Sequence, residues 1–156
     1  MKALHLNRSS LYATFGDKHA LFLEALRLYS ERVVSRTADT LDRAPTPLAG
    51  VQALFDELAA SAETPAGSLG CFVVNSVAEL VPYDAAVSEI AAGYNAAMQR
   101  LLAAAVAGSP AAERQPPEQL AAYLFNAVQG LRVVIKSGAS RAQAQAIAAL
   151  TLAQLR

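Results

Sequence analysis

The sequence predicts an all-α protein, and three observations carry that prediction. The apolar fraction, 54% of 156 residues, is dominated by Ala and Leu, the strongest helix formers. Apolar residues recur at three- and four-residue steps along most of the chain, which is the period of one buried helical face. Breaks rich in Pro and Gly separate these runs, and neither strand-like alternation nor an Asn-Gly or Asp-Gly hairpin signal interrupts them.

Each element can be justified in order. Met1 to His5 reads as the last turn of a helix. Asn7 is a good N-cap for two helical turns over Arg8 to Thr14, and Gly16 ends them. Asp17 caps the next helix, where its charge suits the positive helix end. Leu21, Phe22, Ala25, Leu26, Tyr29 and Val33 mark the buried face of a helix reaching about Asp42. Thr46 and Pro47 open another, with Leu48, Val51, Leu54, Phe55 and Leu58 on one stripe. Thr64 to Gly70 reads as a loop. Cys71 to Val81 reads as a short helix apolar nearly all round, hence buried. Pro82 stops it, and Asp84 caps a long helix to about Ala107. Pro116 or Pro117 opens a helix to Lys136, Gly138 closes it, and Ser140 caps the last one, with apolar positions to Leu155.

Charge is distributed unevenly although the net is zero. Residues 1–36 hold six bases and three acids, a balance of +3, and the remainder carries −3. A basic head on an acidic body suits a head that meets phosphate, and a chance asymmetry is the plainer alternative. The single cysteine, Cys71, excludes an internal disulfide framework and fits a reducing cytoplasm. The N-terminus lacks a signal-peptide core, and no apolar run reaches the roughly twenty residues of a membrane helix.

Two short helices joined by a tight turn form a helix-turn-helix, whose second helix can lie in the DNA major groove. Arg8, Ser9 and Ser10 stand in its first turn, where base contacts occur. Tyr12, Ala13 and Thr14 follow on the same short helix. Tyr12, Thr14 and Lys18, the last at the start of the next helix, are placed for backbone phosphates. Leu11 and Phe15, four apart, are expected to face inward.

The run from Ala3 to Phe22, with Leu11, Tyr12, Phe15, Lys18, Leu21 and Phe22 in register, resembles the recognition segment of the TetR/AcrR family of transcriptional repressors. His5 departs from the usual Gly of the turn. The resemblance implies an all-helical homodimer, paired through its last two long helices (117–136 and 140–155), with a body cavity that binds a small ligand. It divides the chain into a partial DNA-binding head with its connecting helix, 1–42, and a ligand-binding and dimerisation body, 45–156. Against the family pattern the first helix and most of the second are absent, so an N-terminally truncated regulator is expected. The function implied is that of a cytoplasmic, ligand-responsive repressor that binds double-stranded operator DNA and is released by a small apolar or aromatic effector. The alternative is a helical dimer that binds a hydrophobic molecule or a partner protein without DNA.

Phe55, Phe72, Asn75, Tyr94, Met98, Tyr123, Asn126 and Gln129 mix aromatic bodies with a few polar groups on central helices. That is the usual lining of a small-molecule cavity, and a plain core is the competing reading for each. Cys71, where a Gly-bearing loop meets a helix start, reads either as a redox or electrophile sensor or as a small buried residue; no Lys or Arg lies near it in sequence. Arg132, Lys136 and Arg141 are expected to rim the dimer surface. His5 and His19 have no metal-ligand spacing, and no nucleophile signature is present. Neither catalysis, a metal nor a cofactor is expected.

Overall fold

Helix starts fall where the sequence places capping side chains. In the computed structural model, which describes residues 13–156, Asp17 accepts a hydrogen bond from the Ala20 amide at 2.8 Å and starts α1, Lys18–Asp42. Thr46 accepts from Ala49 and starts α2, Pro47–Ser61. Thr64 accepts from Gly67 and starts a five-residue helix, α3, Pro65–Leu69. Cys71 stands at the N-cap of α4, Phe72–Leu80. Asp84 accepts from Ala86 and Val87 and starts α5, Ala85–Val106. A 3-10 turn, Pro110–Glu113, leads to α6, Pro117–Lys136. A reciprocal capping box of Ser140 and Gln143 opens α7, Arg141–Ala153. Each such cap satisfies an amide the helix leaves open and contributes about 1 kcal/mol. Among the described residues no strand occurs.

Two expectations need correction. Thr64 to Gly70 is not a loop throughout, because Pro65 is tolerated in a first helical turn and Thr64 caps it. The short helix α4 is not buried all round: Val73 and Ser76 are buried, while Val77 is 37% exposed. Its neighbours α1 and α5 cover one flank, and the opposite side faces solvent.

The interior falls into two apolar clusters. One gathers Val51, Leu54, Phe55, Leu102, Leu124, Val128, Leu131 and Leu152 from α2, α5, α6 and α7. The other gathers Leu26, Cys71, Val73, Val87, Tyr94 and Met98 from α1, α4 and α5, with Phe22, Tyr29 and Phe72 packed against it. Helix α1 lies along α5 and α2, and α5 packs against α6. The long head-proximal helix is therefore part of the body's wall. Among the described residues, no helix is long and apolar enough to cross a membrane.

Before α1, residues 13–15 are helical and Gly16 turns the chain with φ +86°. That conformation is costly for residues with a Cβ, so the expected Gly stop is realised. Phe15, expected to face inward, is instead 37% exposed, since the described residues do not cover it. Met1 to Leu4, His5, Arg8, Ser9, Ser10, Leu11 and Tyr12 lie outside the described residues.

Candidate functional site

A cavity of about 530 Å³ opens between α1 and the body. Helix α1 supplies Tyr29, Val33, Arg36, Thr37 and Thr40, which lie on one face because they follow three- and four-residue steps. Leu54, Glu57, Leu58 and Ser61 come from α2, and Arg132 and Ile135 from α6. The segment from Ala66 through Cys71, Phe72 and Asn75 closes the remaining side. Two glycines allow that closure. A Cβ on Gly67 would stand 2.1 Å from the Ser61 carbonyl oxygen, so only Gly lets α3 fold back on the end of α2. Gly70 has φ +72° and lies under the Lys136 side chain.

One end of the cavity is polar. Arg132 Nη1 donates to the Tyr94 hydroxyl at 2.8 Å and to Cys71 Sγ at 3.2 Å, across 61 residues of chain in the latter case. Burial would lower the Arg132 pKa, but the Tyr94 hydroxyl and the Cys71 sulfur favour the charged form and the balance is upward. Tyr94 is raised by burial, which outweighs the opposing pull of Arg132. Tyr29 is pushed up to about 12, first by burial and then by the neighbouring Cys71 sulfur. Both tyrosines therefore hold their protons at neutral pH. Cys71 is 3% exposed yet lines the cavity, so a reagent would reach it through that space.

The other end carries a closed charge pair. Arg36 Nη2 donates to Glu57 Oε2 at 3.0 Å, and Thr40 donates to Glu57 Oε1 at 3.1 Å. At the side, Lys136 Nζ donates to Asn75 Oδ1 at 2.8 Å, and Asn75 Nδ2 donates to the Leu69 carbonyl at 3.1 Å. Phe72 forms edge contacts with Phe22 and Tyr29, with ring centroids 5.5 and 5.7 Å away. Aromatic edges thus tie α4 to α1 beside the cavity.

Of the residues the sequence nominates for ligand contact, Phe72, Asn75 and Cys71 line this cavity. Tyr94 stands one hydrogen bond behind the lining. Phe55 and Met98 are fully buried in the two apolar clusters and do not line this cavity. Tyr123 is 43% exposed, and Asn126 is exposed on α6. Gln129 is half-buried near Tyr94, and its Oε1 has no hydrogen-bond partner. Of the residues expected to rim the dimer surface, Arg132 lines the cavity, while Lys136 and Arg141 are exposed, the first donating to Asn75 and the second paired with Glu63 at 3.1 Å. Sequence reasoning missed Tyr29, Thr37 and Arg132 as lining residues. The visible signal was a polar residue at a core-facing position of α1, and Thr37 is 3% exposed.

Ala13, Thr14 and Lys18, expected at the DNA surface, are exposed. His19 Nε2 stands 3.4 Å from Asp84 Oδ2, joining the first turn of α1 to the cap of α5. Among the described residues, no group of three or more His, Cys, Asp or Glu is arranged to hold a metal.

Among the described residues, one long helix runs along a helical body that is hollowed beside it. Transcriptional regulators of known structure share this architecture. The chain superposes with TM-score 0.81 and 28% identity on a cysteine mutant of the TetR family transcriptional regulator CifR, complexed with 26-bp double-strand operator DNA. That match covers 99% of this chain and 83% of that one. A second CifR cysteine mutant matches with TM-score 0.80 and 28% identity over 97% of this chain and 82% of that one. The HTH-type transcriptional repressor ComR of Escherichia coli (strain K12) is 28% identical over 151 residues, 92% of this chain and 70% of that protein. An uncharacterized HTH-type transcriptional regulator, YezE of Bacillus subtilis (strain 168), is 30% identical over 81 residues, 52% of this chain. That alignment spans 42% of YezE, less than half its length. No family model matches the sequence. The chain has the all-α fold of TetR family transcriptional regulators.

Proposed function

We propose that this chain acts as a transcriptional repressor that binds double-stranded operator DNA as a homodimer and lets go when a small effector with an apolar or aromatic body fills the cavity. The observation that carries the proposal is that five cavity-lining residues belong to α1, the helix continuous with the head. A molecule wedged between α1 and the body tilts α1 and changes the spacing of the two heads against half-sites one DNA turn apart. The effector must prefer the tilted arrangement, or it shifts nothing. In this reading residues 1–42 form the reading head with its connecting helix, and 45–156 form the sensing and pairing body.

Arg8, Ser9 and Ser10 would read base edges, and Tyr12, Ala13, Thr14 and Lys18 would flank them toward the phosphates. Helices α6 and α7 would pair across the two-fold axis. Support comes from the apolar side chains they leave exposed, among them Tyr123, Val133, Val134, Ile147 and Leu150. The protein would work in the cytoplasm, where operator DNA is, by binding rather than by catalysis and without a cofactor. A second reading makes Cys71 an oxidant- or electrophile-sensing thiol; its supports are its place in the cavity wall and the Arg132 guanidinium beside it.

The test is selection from a random duplex pool, run on the 156-residue chain and on any longer gene product that contains it. Enrichment of a two-fold symmetric site is expected, with a steep fall in affinity as salt rises. Arg8→Ala is expected to cost about 1–3 kcal/mol at one base position. If no sequence is enriched by either form, and Arg8→Ala leaves binding unchanged, the repressor reading is wrong.

A further inference from the structure

The polar end of the cavity holds a positive charge that lacks a carboxylate partner among the described residues. Every ion pair within 4.0 Å among the described residues uses some other cation. Arg132 instead meets the Tyr94 hydroxyl and the Cys71 sulfur. A guanidinium withdrawn from water is costly unless a counter-ion and hydrogen-bond acceptors replace the lost hydration.

The unused hydrogen-bonding capacity is specific. A guanidinium carries five N–H groups. Both recorded bonds leave from Nη1, and neither Nη2 nor Nε has a hydrogen-bond partner among the described residues. Nη2 and Nε together form the two-pronged edge that meets both oxygens of a carboxylate. Nearby, Tyr29 also lines the wall and adds a hydroxyl that keeps its proton at neutral pH. The charge at the far end is already cancelled, because Glu57 is engaged by Arg36 and Thr40. Between the two ends the wall is mainly apolar, with Val33, Leu54, Leu58, Phe72 and Ile135. A cavity of about 530 Å³ accommodates a body of drug-like size.

We propose that the effector is an amphipathic monocarboxylate, an apolar or aromatic body carrying one carboxylate group, and that Arg132 is the counter-ion that receives it. This rests on the reading of the cavity as the effector site and narrows its chemistry. The apolar body matches the wall, and the single negative charge matches the single uncompensated guanidinium. A phosphate dianion fits less well, since it would bring two charges to one guanidinium with Glu57 lining the same space.

The test uses two matched pairs of probes, decanoate with decanamide and 4-phenylbutyrate with 4-phenylbutyramide, titrated calorimetrically into the 156-residue chain at neutral pH. A charge-assisted bidentate contact predicts that the acid of at least one pair binds about ten- to a hundredfold more tightly than its amide. Arg132→Met should erase that gap while sparing amide binding, and Arg132→Lys should restore part of it. The acid–amide gap in the unsubstituted chain decides the matter even if Arg132→Met does not fold. Amides that bind as tightly as the acids overturn the carboxylate assignment and leave the cavity reading standing. Failure of all four probes to bind at millimolar concentration overturns both.

Discussion

The two apolar clusters of this molecule are built from different residues and are suited to different work. The cluster between α2, α5, α6 and α7 is almost wholly aliphatic, with Phe55 as its one buried aromatic residue. The cluster under α1 and α4 mixes Met98, Cys71 and Tyr94 with the partly buried rings of Phe22, Tyr29 and Phe72. Aliphatic side chains with no polar atoms fill space densely and leave nothing for a ligand to address. Aromatic edges, a thiol and two hydroxyls pack less completely and need partners, so a cavity with a polar end lies beside them. The same chain thus separates a densely filled aliphatic region from a mixed region that borders a cavity.

The comparison is broken most forcefully by removing the same side chain from each region. Phe55 is fully buried, and Phe55→Ala is expected to cost about 3–5 kcal/mol in urea unfolding. Phe72 is only partly buried, and its edge contacts border space that already exists. Phe72→Ala should therefore cost about 2 kcal/mol, with the main change in ligand binding rather than stability. Equal losses at the two sites would erase the distinction.

The smallest expected effect concerns pH. Tyr29 has a folded pKa of about 12 against an ordinary value of 10.0. Its contribution to stability is fully present below pH 10 and is lost as the pH rises toward 12, because the unfolded chain ionises first. In Tyr29→Phe the fall in Tm between pH 10 and 12 should be shallower than in the parent chain. Parallel curves for the two proteins would remove the argument that burial and Cys71 hold this hydroxyl protonated.

What was legible in the sequence was local. Asp17, Thr46, Asp84 and Ser140 announce helix starts because a cap needs only the next two or three amides. The lining of the cavity was less legible because it joins residues far apart. Nothing near Arg132 in sequence reveals that Cys71 and Tyr94 will meet its guanidinium. Along α6 the helical period separates residues that are close in sequence. Residues 123, 126, 129 and 132 are three apart, and each such step turns the side chain by about 60° from its predecessor. Tyr123 and Arg132 therefore point in nearly opposite directions, one to solvent and one to the cavity. Phe55 and Met98 show the complementary limit: periodicity marks a buried face but not whether it meets another side chain or a void.

The continuity of α1 past the cavity sets a gearing ratio. Lys18 lies eleven residues before Tyr29, about 16 Å along the helix axis at 1.5 Å per residue. One degree of swing about Tyr29 becomes about 0.3 Å at Lys18, so a few degrees amount to an ångström. The His19–Asp84 contact ties the first turn of α1 to the cap of α5, with the histidine side chain 56% exposed and the aspartate 18%. A half-exposed pair adds little to that tie, so the packing of α1 along α5 and α2 is what sets how far the helix can swing.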